Sequence, residues 1–235
     1  MEVSEREPAD QDQRTIENLT EVKKMKYKLE VYEKMIESRI VAVLRKFDTS
    51  KAVPLAKALV DGGIKAIEIT MDTENALQAI TDVRKALGKD IAVGAGTVLD
   101  PETGRAAMLA GAQFLVAPTL NVDLIRLGNR YGRMVVPGCM TPTEIQQACE
   151  AGADVVKIFP AGVVTARFFK DVLGPLDHVT LMATGGISVE NAKEYRQKGV
   201  DLLGVGGNLI DKAAMAANEF EKITAYAAKL VEEAR

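Results

Sequence analysis

From Ile40 onward the chain alternates short β-branched runs with longer stretches of helical spacing. The apolar runs predict strands at Ile40–Arg45, Ala66–Thr70, Ile91–Gly96, Phe114–Pro118, Met134–Gly138, Val155–Phe159, Thr180–Thr184 and Leu202–Gly206. Each of the first seven is followed by enough chain for a helix. Asp100-Pro101 and Thr141-Pro142-Thr143-Glu144 predict helix starts, the second with capping-box spacing, and Ser188 is a third candidate cap. Gly63, Gly111, Gly152 and Gly199 each stand three residues before an alternate strand. Glycine just past a helix end takes the left-handed turn into the next strand. The recurrence marks a repeating βαβα unit, and four units make eight strands. Near-continuous apolar strands suit a parallel sheet covered on both faces, and closing it gives a (β/α)8 TIM barrel. A doubly wound open sheet is the alternative. Gly94-Ala95-Gly96-Thr97-Val98-Leu99 lacks the third glycine of the dinucleotide fingerprint.

The first 39 residues differ from the rest. Ten acidic and eight basic side chains crowd into them, and no glycine occurs before Gly62. Residues 1–13 are polar and acidic and are expected to be disordered or frayed. Beyond them Ile16, Leu19, Val22, Met25, Leu29, Tyr32, Met35 and Ile36 recur at three- and four-residue steps, a helix with a solvated face. The expectation is that this apolar face packs on the body of the domain, with recruitment of a partner subunit as the rival reading. The division that follows is an N-terminal extension over 1–28, a disordered start and then a helix, and a barrel domain over 29–235.

Composition narrows the function. In 235 residues, 30 basic side chains face 33 acidic ones, a net charge of −3 that argues against nucleic acid as a partner. Runs such as Ile40–Leu44 and Leu202–Val205 fall far short of the ~20 residues that span a bilayer. Met1-Glu2-Val3-Ser4-Glu5-Arg6 has no apolar signal region. Cys139 and Cys149 form neither a disulfide framework nor a zinc pattern. A cytoplasmic protein without a membrane partner is expected.

Charge inside apolar strands points to chemistry. Alternation in Ala66-Ile67-Glu68-Ile69-Thr70 sends the isoleucines toward the helices and Glu68 into the barrel. In the same way Val155-Val156-Lys157-Ile158-Phe159 sends Lys157 inward. The pair could be a buried ion pair that only tolerates its position. A lysine in an apolar wall, however, loses ammonium stability, and its free amine can attack a ketone to give a Schiff base. The protonated imine is an electron sink that lets a neighbouring C–C bond break or form, and Glu68 could shuttle the protons. No metal or cofactor is required. The single histidine, His178, belongs to a loop or surface segment before the seventh strand. Thr184-Gly185-Gly186-Ile187 and Gly204-Val205-Gly206-Gly207-Asn208 could offer backbone N–H groups to a phosphate. Arg45 and Thr97 could hold a carboxylate.

Those residues resemble the 2-keto-3-deoxy-6-phosphogluconate / 4-hydroxy-2-oxoglutarate aldolase family, class I pyruvate aldolases on a TIM barrel. The likeness runs from about Leu29 to the C-terminus. It is carried by Ile40-Val41-Ala42-Val43-Leu44-Arg45, Ile67-Glu68-Ile69-Thr70, Gly94-Ala95-Gly96-Thr97-Val98, Pro137-Gly138, Thr141-Pro142-Thr143-Glu144, Lys157-Ile158-Phe159-Pro160 and Thr184-Gly185-Gly186-Ile187. The resemblance implies Lys157 as Schiff-base lysine and Glu68 as proton shuttle. It implies Thr97 and Arg45 at the pyruvyl end, Pro118 and Phe159 lining the pocket, and phosphate on Gly185, Gly186 and the Gly206–Gly207 turn. It also implies keto-acid and aldehyde substrates and a homotrimer. Asp72 stands where many members carry arginine, and Gly207 where many have serine. Two rival functions stay in view: a barrel subunit serving homo-oligomeric assembly, and another phosphate-binding barrel lyase or isomerase that makes no pyruvate adduct.

Overall fold

The computed structural model describes residues 8–235, with side chains from Asn18 onward. Its strands are β1 (Ile40–Leu44), β2 (Ala66–Thr70), β3 (Ala92–Gly96), β4 (Phe114–Val116), β5 (Met134–Val136), β6 (Gly138–Cys139), β7 (Val156–Ile158), β8 (Leu181–Thr184) and β9 (Leu202–Val205). All pair in parallel, in the order β5-β4-β3-β2-β1-β9-β8-β7-β6. The two ends of that order are one predicted strand, Met134–Gly138, divided at Pro137. Proline has no N–H to give a ladder, so the chain bends there. The β5 half pairs with β4 and the β6 half with β7, while the Pro137 carbonyl accepts from Lys157 N–H at 2.8 Å. Eight predicted strands thus become nine segments, and the sheet closes into the expected barrel.

Closure at this bend requires glycine at 138. A Cβ there would lie 2.3 Å from both the carbonyl carbon and the oxygen of Pro118, backbone atoms with little freedom to move. Gly138→Ala is expected to cost about 3 kcal/mol, at the upper end of overpacking, and to lower the melting temperature by several degrees in a calorimetric scan.

Helices surround the barrel: α2 (Ala52–Asp61), α3 (Ala76–Leu87), α4 (Pro101–Leu109), α5 (Val122–Tyr131), α6 (Pro142–Glu150), α7 (Ala166–Leu173), α8 (Ala192–Gln197), α9 (Lys212–Ala217) and α10 (Phe220–Glu233). Their apolar stripes cover the outward side chains of the strands, among them Ile67, Ile69, Val156 and Ile158. Asp100 caps α4 by accepting from Thr103 N–H at 2.6 Å, and Thr141 with Glu144 forms a complete capping box on α6. Ser188 does not cap α8. Residues 188–191 first make a turn, with the N–H groups of Asn191 and Ala192 donating to the Ser188 carbonyl, and Asn191 takes the cap position. Gly63, Gly111, Gly152 and Gly199 have φ of +93°, +110°, +91° and +90°. These are left-handed turns that a side chain would strain.

A further helix, α1 (Pro8–Ser38), precedes β1. The expected disordered start falls on residues 1–7, outside the described chain, and on 8–13, which are helical. Proline suits the first turn of a helix, and no glycine or proline follows to stop it. Of the expected packing face, Met35 is buried with Tyr32 and Ile36 packed beside it, while the earlier positions are corrected. Leu19, Val22, Met25 and Leu29 are exposed at 55%, 54%, 66% and 53%. Val31 and Met35 are the buried pair, closing the bottom of the barrel against inward residues such as Val41, Phe114 and Met182. One turn earlier in α1, Lys28 Nζ donates to Asn129 Oδ1 and Asp154 Oδ2, each at 2.7 Å, and Arg133 stacks on Tyr27. Barrel curvature selects the side chains that point into its open end, and helical spacing alone does not reveal which these are.

Candidate active site

Inward positions of the barrel divide by size along each strand. The lower half is filled by Val41, Ala66, Ala92, Phe114, Met134, Val155, Met182 and Leu202. Toward the C-terminal end the inward positions become small or charged. Gly94 leaves room for the Phe114 ring, where a Cβ would meet it at 2.5 Å. A Cβ on Gly96 would lie 2.7 Å from Glu68 Oε1, so the glycine makes the space that Glu68 occupies. Gly204 does the same for Thr184, whose hydroxyl would meet a Cβ at 2.2 Å.

Into this hollow project the two charges that alternation sends inward. Glu68 is 1% exposed and Lys157 5%. Lys157 Nζ stands 4.7 Å from the centre of the Phe159 ring, the next inward side chain on its strand. Burial in this apolar wall lowers the Lys157 pKa, Glu68 acts against that, and Arg45 adds to it by repulsion. Burial likewise raises the Glu68 carboxyl, with Lys157 and Arg45 opposing. Glu68 Oε2 and Thr184 Oγ1 are buried without a hydrogen-bond partner among the described residues. An amine pushed toward its neutral form beside a carboxyl pushed the same way is suited to carbonyl addition followed by proton transfer.

Arg45 and Thr97 meet at the mouth. Arg45 Nη2 donates to Thr97 Oγ1 at 2.6 Å, and Arg45 Nη1 lies 3.6 Å from Asp72 Oδ2. Thr97 sits at φ +55°, a costly conformation for a β-branched residue and one found where a site dictates the backbone. Asp72 therefore braces a cation at the mouth. Pro118, half-buried just past β4, sets its backbone carbonyl against Gly138.

The two glycine turns are neighbours, joined by Asn208 Nδ2 donating to the Ile187 carbonyl at 3.1 Å. Gly185 and Gly186 pack against the β7–α7 loop, with the Phe159 ring and Gly162 as their neighbours. Gly206 and Gly207 instead line an open cleft of about 700 Å³ between the β1–α2 and β9–α9 loops. The cleft also takes in Arg45, Lys46, Lys51 and Lys212. Sequence reasoning singled out only Arg45 of these four cations, because loops from opposite ends of the chain supply them. His178 is at the surface, its side chain 61% exposed and 3.9 Å from Asp177. Cys139 is no rival nucleophile, since burial pushes its thiol up to about 12.

A buried lysine and glutamate in the upper half of a barrel, with an Arg–Thr pair above them, match a known family. The family model for KDPG and KHG aldolases covers residues 31–226. The chain belongs to this aldolase family. Among its relatives, the KHG/KDPG aldolase of Escherichia coli (strain K12) is 36% identical over 199 residues, covering 83% of this chain and 91% of that protein. The 2-dehydro-3-deoxy-phosphogluconate aldolase of Treponema pallidum (strain Nichols) is 35% identical over 196 residues, 83% of this chain and 93% of the relative. The KDPG aldolase of Legionella pneumophila, solved with pyruvate captured as a covalent carbinolamine, is 27% identical with a TM-score of 0.78, covering 84% of this chain and 96% of that one. An aldolase-family barrel accounts for the fold, and the match leaves most of α1 outside it.

Proposed function

We propose that this chain is a class I aldolase that reversibly cleaves a 2-keto-3-deoxy sugar acid, giving pyruvate and an aldehyde through a Schiff base on Lys157. The aldehyde is glyceraldehyde 3-phosphate from 2-keto-3-deoxy-6-phosphogluconate, or glyoxylate from 4-hydroxy-2-oxoglutarate. The observation that carries this reading is the buried Lys157 amine facing a buried Glu68 carboxyl, each shifted toward its neutral form by desolvation. Lys157 attacks C2 of the keto acid, and loss of water from the carbinolamine leaves the imine. Glu68 moves protons at the carbinolamine and at the C4 hydroxyl. As the C3–C4 bond breaks, its electron pair flows into the imine to give an enamine, which protonation and hydrolysis release as pyruvate. Arg45 and Thr97 hold the keto-acid carboxylate, Pro118 and Phe159 wall the reacting carbons, and Thr184, Gly185, Gly186, Gly206 and Gly207 receive the far end of the substrate.

Three organisational readings accompany it. The enzyme works as a homotrimer, as its family resemblance implies. Residues 1–28 form an appendage to the barrel domain at 29–235, a reading supported by the family match beginning at residue 31. The compartment is the cytoplasm, in keeping with two free thiols and with the lack, among the described residues, of a helix long and apolar enough to cross a membrane.

The test supplies each keto acid and follows pyruvate by coupled reduction, with light scattering on the same sample. Pyruvate release and the mass of three chains are expected. A folded trimer releasing no pyruvate from either compound would favour the assembly reading instead.

A further inference from the structure

Two faces of α1 carry large side chains, and one of them meets the barrel. On the docked face Lys24 packs beside Gly132, Tyr27 under Arg133, Lys28 against Asn129 and Asp154, and Val31 with Met35 at the barrel floor. Turned from it by roughly 120° around the helix axis, Val22, Met25, Leu29, Tyr32 and Ile36 follow at steps of three, four, three and four residues. That is the a and d spacing of a left-handed coiled coil. Val22, Met25 and Leu29 are each more than half exposed, and Leu19 extends the stripe by a turn. Tyr32 and Ile36 lie at the edge of the barrel floor, so the seam runs unbroken from solvent to the body.

The flanking charges favour one occupant. With Val22, Leu29 and Ile36 as a positions, Glu21 and Lys28 fall at g, and Lys26 and Glu33 at e. In a parallel pair each g residue faces the e residue five further along the other helix. Glu21 then meets Lys26 of a second copy, and symmetry repeats the contact. Lys28 faces Glu33 in the same sense, although Asn129 and Asp154 already hold it. Lys26 is exposed and makes no ion pair among the described residues. Glu21 pairs with Lys24 at 2.6 Å, an exposed contact weak enough to exchange. An antiparallel pair that matches Val22 with Tyr32 and Met25 with Leu29 sets Lys26 against Lys26 and Lys28 against Lys28. Docking on the barrel also keeps α1 helical in the single chain. Association therefore has no helix to order, which lets a seam of two heptads suffice.

We propose that this seam is an interface between copies of this chain, α1 against α1, parallel and in register. It is independent of the Schiff-base chemistry. Two strands or three can share such a seam about a common axis, so it is compatible with the homotrimer without resting on it.

The experiment places a cysteine at Met25, a d position that in this register meets its own counterpart. In a C149S background, M25C leaves Cys139 as the other thiol, and that one is buried. Oxidised glutathione added to the full chain should give a covalent dimer on a non-reducing gel. Adding V22Q/L29Q removes the apolar neighbours without adding charge or weakening the helix, and should slow the cross-link at least about tenfold. E21K should slow it about threefold by setting like charges across the seam, and E21K/K26E should restore it. No covalent dimer, or a rate that V22Q/L29Q leaves unchanged, would overturn the interface. A rate indifferent to the charge exchange would overturn the parallel register. Light scattering on wild type tests the trimer separately. Three chains without the cross-link reject the seam and keep the trimer, whereas the cross-link with another mass keeps the seam and rejects the trimer. A monomer rejects both.

Discussion

Lys157→Met is expected to abolish both pyruvate trapping by borohydride and keto-acid cleavage. Wild type incubated with pyruvate and reduced should gain one pyruvyl-derived group, located by peptide mass mapping on Lys157, and the variant none. Loss of a nucleophile that carries the whole reaction costs on the order of 10⁴–10⁶ in turnover. Lys157→Arg should be equally inactive: it keeps a cation beside Glu68, but guanidinium cannot supply a free amine at working pH. The pair of variants therefore separates charge from nucleophilicity. Folding should survive in the methionine variant. It replaces a desolvated amine with an apolar chain of similar length in a wall that already contains Phe159, and Glu68, relieved of an opposing cation, can hold its proton more firmly. An active, trappable Lys157→Met would remove the basis of the mechanism.

The features legible in the sequence were those governed by local periodicity. Alternation in five-residue windows placed Glu68 and Lys157 inside, and their 1% and 5% exposures follow from it. The four glycines before alternate strands were legible because a left-handed residue is needed wherever a helix turns back into a strand, and all four have φ near or above +90°. What escaped depends on closure. The break at Pro137 arises because one strand must pair with two neighbours diverging around the barrel. The Lys46–Lys212 cleft exists only because β1 and β9, from opposite ends of the chain, become adjacent. The apolar positions of α1 were legible only in part for a related reason: Tyr32, Met35 and Ile36 pack at the barrel opening beside Val31, whereas Leu19, Val22, Met25 and Leu29 stand in solvent. Asp72 looked from the sequence like the loss of a cation, and its role as a brace for Arg45 needed three dimensions.

Glu68→Gln separates catalysis from stability, because the two should move in opposite directions. As proton shuttle, Glu68 acts at carbinolamine formation, dehydration and C–C cleavage. Its amide cannot exchange protons, so kcat should fall about 10²–10⁴-fold, with the pyruvate adduct still trappable but slow to form. Removing the carboxylate also removes the group that raises the Lys157 pKa, so the acid limb of adduct formation should move to lower pH. Stability follows from the other shift. Burial raises the folded-state pKa of Glu68 above its ordinary value, so the folded chain binds that proton more tightly than the unfolded chain. Its stabilising contribution is complete below the unfolded pKa and is lost as pH rises through the folded one. Once pH passes the folded-state pKa, wild type holds a buried carboxylate whose Oε2 has no hydrogen-bond partner among the described residues, and glutamine there carries no charge to desolvate. The variant should therefore melt higher than wild type at alkaline pH, with the advantage shrinking as pH falls toward the acid range in which both states bind the proton. Denaturation scans across that range beside kcat would show it. A variant that kept wild-type kcat would remove Glu68 from the proton pathway, whatever its melting temperature.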